Sequence, residues 1–450
     1  MRYDIIEIAP NIHVKSEELL SLDQMVRHVF IIGAKGITGY GGFETFVRKL
    51  VEYSCAQGAT IHYHISCKAN GYGFSDERLI PGAKRIDKKN FTYLNAKCHK
   101  ISTPPIGSAQ AVLYDLASLL WALRESKRQN IQQPVFFLLS CRLGIAIDVL
   151  NCVILKRHGH FFLNPDGREW QREKWNRLIK AYFKFSEKRM VLLAERVICD
   201  SNNIGQFIIK QYPSAEGKTS VIPYGAEVLP EQDSDHRRAM MWLEQHNLVC
   251  NEYYLMVSRL IPENSYETII SEFMKSHTGR KLVMITTPNR RFSVKLEKKL
   301  HFRGDQRILF LESVYDEKLL MSIRGLAYAC IHGHTAGGTN PSLLEAMAGN
   351  GFCLVRDVKY NNEVAEDNAL YWTADKGCLS HLIDEADRMS SDEIYALRER
   401  AKARIRKCYS WNQIADRYTT LFMGRGTDCA ITKKQTDQSM DTNIGEKVEA

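Results

Sequence analysis

Two glycine-rich loops at opposite ends of the chain carry residue types able to hold a diphosphate. The first to consider is His332-Gly333-His334-Thr335-Ala336-Gly337-Gly338-Thr339-Asn340-Pro341, which follows the apolar run Gly325 to Ile331. That run reads as a helix end passing into a short buried strand. Asn340 suits an N-cap and Pro341 the first helical turn, where a missing N–H costs nothing. Leu343, Leu344, Met347 and Ala348 then give the helix an apolar face. A glycine loop entering an uncovered helix N-terminus offers open N–H donors and the positive end of a dipole. Gly337, Gly338, Thr339 and Asn340 therefore suit a phosphate, and Glu345, one turn further in, is placed to accept from a sugar hydroxyl. Taken alone, the same pattern also describes an ordinary strand-to-helix turn with a solvated Glu.

The second loop follows the strand-like His28 to Gly33 and runs from Gly36 to Gly42. Phe43, Phe46, Val47, Leu50 and Val51 then recur at helical spacing. The loop contains neither G-x-G-x-x-G nor a P-loop Lys-Ser/Thr, so it is not a dinucleotide fingerprint. Gly41 and Gly42 would let backbone approach a donor closely. Two strand–loop–helix units of this kind suggest two α/β domains facing one ligand.

Further charged residues sit where open α/β sheets bind ligands, at strand C-termini. Arg259 follows Tyr253 to Val257, and its guanidinium could fork across diphosphate oxygens; a strand-end Arg paired to a surface acid is the plain alternative. Asp166 and Glu169 follow the apolar Phe161 to Leu163. They could hold an acceptor hydroxyl or stabilise positive charge developing on a sugar ring. Arg168, Arg172 and Lys174 could touch an acceptor phosphate, while Trp170 and Trp175 read as core. His158 and His160 lack a second ligand cluster with metal spacing. Asp233-Ser234-Asp235 matches D-x-D superficially but lies in a polar stretch, Pro230 to Arg238, that reads as a linker, and these residues read as solvated or helix-capping. No metal site is expected.

Four stretches, in order along the chain, carry a family resemblance: Gly39 to Phe46; Asn164 to Trp170, continued by Arg172, Lys174 and Trp175; Ser258 to Asn264; and Gly337 to Glu345. With them the chain resembles GT-B glycosyltransferases of the large family-four class. Within that class it is most similar to bacterial rhamnosyltransferases of cell-surface polysaccharide assembly. The resemblance implies two Rossmann-like domains and a retaining, metal-independent hexosyl transfer without a separate cofactor. It further implies a nucleotide-sugar donor, dTDP-L-rhamnose, and a lipid-linked saccharide acceptor. Two departures stand out. Many relatives carry Lys where Asn264 stands, and the broader class has Glu at the position of Gly337. The role of that Glu must then fall to N–H groups of Gly337, Gly338 and Thr339, or to His334. Another hexosyl donor, or a non-catalytic sugar-nucleotide-binding protein, would suit the same scaffold.

Composition bounds these readings. At 450 residues, with 44% hydrophobic and 25% charged content, the chain has the size of two domains and the balance of a globular protein. Strand-like and helix-like segments alternate throughout, favouring parallel sheets. The organisation reads as an extension at 1–27, an acceptor-side domain at 28–228 and a donor-side domain at 229–408. A returning helix at 409–425 and a polar tail at 426–450 complete it. No apolar run reaches the roughly twenty residues that span a bilayer, and no signal peptide is evident. Twelve Cys without a CxxC pair suggest a reduced, cytoplasmic setting. The net charge of +9 calls for an anionic partner. Basic and aromatic residues from Arg172 to Arg189 resemble an interfacial helix that would meet an anionic membrane surface on the inner face of the cell membrane; a plain solvated helix fits the same stretch equally well. No nucleic-acid module is recognisable.

Overall fold

In a computed structural model of the chain, residues 5–7, 13–15 and 26–425 are described, except 39, 40, 72, 108, 168, 172–174 and 231. Arg168, Arg172 and Lys174, the loop residues Gly39 and Tyr40, the tail read at 426–450 and most of the extension read at 1–27 thus lie outside the described residues. Within that extension, Ile5–Glu7 pairs antiparallel with His13–Lys15.

The central strands are short, nearly uninterrupted apolar runs. Val135–Leu139 is buried along its whole length, as expected of a parallel strand covered on both faces. It lies inside a nine-stranded sheet. From one edge the order is Thr219–Val221, Arg196–Cys199, His160–Asn164, Val135–Leu139, Arg27–Ile32, Ile61–Lys68, Ala96–Ile101, Asn90–Tyr93 and Lys84–Arg85. Only the last two pair antiparallel with their neighbours. The second sheet has six strands, all parallel: Ile308–Glu312, Lys281–Thr286, Tyr253–Val257, Ala329–His332, Cys353–Arg356 and Leu370–Trp372. Each sheet is a doubly covered α/β layer whose strand C-termini carry the loops singled out above.

Strand alternation sorts the first core into two layers. Val29 and Ile31 face Phe46, Val47 and Leu50 of helix Gly42–Ala56, whereas Phe30 and Ile32 face Leu119 and Ala122 of helix Ala109–Arg128. The former layer is completed from the far end of the chain. Helix Trp411–Phe422 places Tyr418 5.1 Å from Phe46 and Phe422 5.6 Å from Phe137, ring centre to ring centre. Arg27 Nε donates to the Phe422 carbonyl at 2.9 Å.

Two details differ from the sequence reading. The supposed linker contains a helix, Asp233–Gln245. The helix begins at the stretch read as solvated or helix-capping, and Ala239 and Leu243 bury its inner face; only the polarity of the first turn resembles a linker. Asp235 there pairs with Arg238 at 3.2 Å. Trp170 and Trp175 are only half-buried. Their indole N–H groups donate to Glu187 at 3.1 Å and Glu169 at 2.9 Å, and these partners hold the rings at a cavity rim rather than in the core.

The two sheets are bound to each other by charge. Glu317 of the second pairs with Arg48, and with Lys49 at 3.1 Å, on helix Gly42–Ala56. Glu363 accepts from the backbone N–H groups of Asn202 and Asn203 at 2.5 and 3.1 Å. It thereby caps helix Asn202–Gln211 of the first sheet from the other domain. Among the described residues no helix is long and apolar enough to cross a membrane.

Neutral histidines in the first core tie stability to pH. His28 Nδ1 and His64 Nε2 are 2.9 Å apart, and the His64 ring stacks on Phe30 at 4.3 Å. Burial lowers His28 to about 4, with His62 and Lys97 adding to it, and lowers His64 to about 3, with His28 and Lys97 adding. The unfolded chain takes up these protons near the ordinary value of about 6.5. Stability is therefore fully present above that pH and is lost as pH falls towards 4. Urea unfolding at pH 7 and pH 5 should show a loss of about 1–2 kcal/mol from His64 alone. A His64→Phe variant should show a shallower slope over the same window.

Candidate functional site

The donor-side loops are tied together before any ligand is considered. Asn264, buried after strand Tyr253–Val257, donates from Nδ2 to the Arg259 carbonyl at 2.7 Å and faces His334 Nδ1 through Oδ1 at 2.7 Å. Ser265 Oγ donates to the Gly333 carbonyl at 2.7 Å, and Thr335 N to the Glu263 carbonyl at 3.0 Å. The residue that departs from the common Lys thus joins the Arg259 turn to the glycine loop as a neutral bridge. Gly333 is required by close approach: a Cβ there would meet the Asn264 carbonyl oxygen at 2.5 Å.

Beyond this knot, helix Pro341–Gly349 starts at Asn340, whose side chain accepts from Ser342 N at 2.9 Å. Among the described residues, the N–H groups of Gly337, Gly338, Thr339 and Asn340 bond to no backbone carbonyl. They form an open anion cradle at a helix N-terminus. Arg259 is exposed and makes no ion pair among the described residues, so its guanidinium remains available to an anion. His332, just upstream, is held neutral by burial, with His334 adding to the effect, and falls to about 3.

Glu345 is not a free carboxylate. Arg324, almost wholly buried, donates to it at 2.6 Å. Removing Glu345 would take a charged partner from a buried cation, which is destabilising. The pair lines a cleft of about 760 Å³ between the sheets, shared with Gly42, Lys49 and Tyr224 of the first. Gly42 has open space where a Cβ would stand. Gly41 instead makes room for Glu44, whose Oε2 would lie 2.1 Å from a Cβ at Gly41, and it is not part of the cleft wall.

On the other side, Asp166 takes a left-handed conformation (φ 61°) after strand His160–Asn164. Asp166 and Glu169 line a second cavity of about 310 Å³ with Arg142, Trp170 and Glu187. Arg142 donates to buried Asp115 at 3.1 Å, whose carboxyl burial pushes up against the pull of that Arg. The same loop reaches the glycine cradle: a Cβ on Gly167 would lie 3.1 Å from Gly337 Cα. Asp166, Gly167, Gly337, Gly338 and Thr339 therefore meet at one seam, with Arg259 and His334 attached through Asn264, whereas Gly42 and Glu345 meet in the larger cleft.

Sequence reading missed Asp200, Glu363, Arg324 and the Arg142–Asp115 pair. Asp200 was open to detection as an acid directly after the apolar strand Val197 to Cys199. The others act through partners distant in sequence, with no local signature. His158 is exposed and His160 pairs with Glu195 at 2.8 Å. Among the described residues no group of three or more potential ligands is placed to hold a metal ion.

Residues 26–227 match the family described as a domain of unknown function, DUF1972. No curated protein matches the chain. Among solved structures, sucrose-phosphate synthase from Thermosynechococcus elongatus is similar at 16% identity and a TM-score of 0.67, over 88% of this chain and 98% of that one. A glycosyltransferase from Rickettsia africae follows at 13% and 0.65, over 89% and 98%. HepE from Anabaena, solved with UDP and glucose, matches at 13% and 0.65, over 88% and 99%. The chain has the GT-B fold: two parallel-sheet domains facing a cleft.

The two glycines separate packing from openness. Gly333→Ala should lower stability by about 1–3 kcal/mol through overpacking. Gly42→Ala should leave it within about 0.5 kcal/mol. Urea titrations of both variants check this; equal losses would contradict the assignment of close approach to Gly333.

Proposed function

We propose that the chain is a metal-independent, retaining hexosyltransferase that moves L-rhamnosyl from dTDP-L-rhamnose onto a lipid-linked saccharide in cell-surface polysaccharide assembly. The observation that carries the transferase reading is the N–H cradle of Gly337 to Asn340, open among the described residues, with exposed Arg259 joined to the same loop through Asn264 and His334. Such a cradle and guanidinium can meet diphosphate charge without a metal ion. The solved complex of HepE with UDP and glucose supports a nucleotide-sugar donor. Rhamnose rests on the motif resemblance, including the Pro262-Glu263-Asn264 variant familiar among rhamnosyltransferase-like sequences.

A membrane-facing acceptor is supported by the surface beside the smaller cavity. Helix Arg177–Leu193 exposes Arg177, Leu178, Lys184, Phe185 and Lys188 along one stripe, with Leu178 82% exposed. Neighbouring Ile145 and Val149 are 75% and 71% exposed. Cations interleaved with apolar residues suit an anionic interface.

The deciding experiment measures nucleotide-diphosphate release from several sugar nucleotides with a lipid-linked acceptor. dTDP-L-rhamnose should be turned over fastest, and activity should persist in excess EDTA. Preference for another donor corrects the sugar; binding without turnover of any donor makes the chain a sugar-nucleotide-binding protein. Arg259→Ala should lower kcat/KM by about 2–4 kcal/mol in transition-state terms, the scale of a lost oxyanion donor, with unfolding unchanged. It is a cleaner variant than Glu345→Gln, which also disturbs buried Arg324.

Liposome co-sedimentation tests the surface. Each Lys or Arg near an anionic bilayer contributes about 1 kcal/mol. Reversing Arg177, Lys184 and Lys188 to Glu should therefore abolish low-salt binding while turnover of a soluble acceptor persists. Wild-type protein indifferent to anionic vesicles would rule the interface out.

A further inference from the structure

One buried acid at the seam has no part in the contacts above. Asp200 ends the strand Arg196–Cys199, is 4% exposed, and packs its carboxyl against the glycine cradle: a Cβ on Gly338 would lie 1.9 Å from Oδ1. Thr339 Oγ1 donates to the Asp200 carbonyl, fixing the cradle to this residue. Among the described residues its Oδ1 is buried without a hydrogen-bond partner. Among the described residues no Lys or Arg pairs with it. A buried, unpaired carboxyl oxygen facing an anion cradle is costly unless a ligand meets it.

We propose that Asp200 reaches across from the first domain as a hydrogen-bond donor to the diphosphate of the nucleotide donor, completing the Gly337–Asn340 cradle from the opposite side. The inference rests on the nucleotide-sugar reading of that cradle. A carboxylate there would repel the ligand, whereas a neutral carboxylic acid has one O–H to give. The surroundings favour the neutral form. Burial, then the negative charges of Asp166 and Glu363, push Asp200 well above the usual carboxylate range, and only its own N–H opposes them. The phenols of Tyr224 and Tyr418 also stand within its field; burial, aided by Asp200, raises both, so they remain neutral beside it. Asp200 thus adds a donor to the diphosphate site without adding positive charge.

The test uses full-length protein, with UDP and dTDP as probes. By calorimetry at neutral pH, Asp200→Ala should bind both nucleotides about ten- to a hundredfold more weakly, the range for one hydrogen bond to a charged group. Asp200→Asn, whose amide can still donate, should stay within about threefold of wild type. Infrared difference spectra should show a carboxylic-acid carbonyl band that is missing from Asp200→Asn and shifts on addition of UDP. A merely structural role would leave that band unmoved by nucleotide. Should Asp200→Ala fail to fold, the Asn variant and the wild-type spectrum still decide. Unchanged affinity in Asp200→Ala, an Asn variant as weak as Ala, or a band indifferent to UDP overturns the inference alone. Wild-type protein that binds neither nucleotide overturns it together with the transferase reading.

Discussion

Close backbone approach where the glycine loop meets the first domain is the constraint on which the rest of the site depends. Gly338 faces the Asp200 carboxyl at a separation that leaves no room for a methyl group, and Gly167 lies tightly against Gly337. Backbone from the second sheet can therefore lie directly against the loops of the first, and unbonded N–H groups stand at the point of contact. Arg259, His334 and Asn264 are held behind them by hydrogen bonds that belong wholly to the second domain. The first domain contributes the Asp166 loop and the start of helix Asn202–Gln211. Neither half alone encloses an anion.

Charge at the seam follows the same division. Glu317 and Glu363 reach from the second domain to cations or a helix N-terminus of the first. These contacts are partly exposed, and pairs of that kind contribute little to stability singly. Their value lies in aligning the domains so that the glycine faces meet. Arg324 and Glu345 differ, because the cation is buried and the pair is part of the cleft wall. The carboxylate read from sequence as a hydroxyl acceptor is already committed on one side to its own domain.

How much was legible beforehand follows from the range of the interactions involved. The strands Val135–Leu139 and Tyr253–Val257 announce themselves as apolar runs, and the Asn340–Pro341 start of a helix is written in adjacent residues. Arg259 and the Gly337–Gly338 loop were visible for the same reason. The helix at Asp233 was legible only as a capping alternative, because its first turn is as polar as a linker. Trp170 and Trp175 looked like core because aromatic residues usually are, yet their indole N–H groups found carboxylates at a cavity edge. Asp200 carried one local signal, its place directly after an apolar strand, and Glu363 none, since its significance comes from a helix start on the other sheet.

The helix Trp411–Phe422 carries a consequence for the order in which this chain acquires its structure. During synthesis the nine-stranded sheet emerges first, yet Phe46, Phe137 and Phe162 remain uncovered until Tyr418 and Phe422 arrive. The segment 26–227 that matches a known family thus shares its core with residues outside it. Its aromatic layer is closed by residues made after the second domain, and Glu363 supplies a helix cap from the other sheet. A nascent chain must shelter that surface while the whole second domain is translated. A truncation at the family boundary would keep every strand of the first sheet and still expose a sticky hydrophobic face.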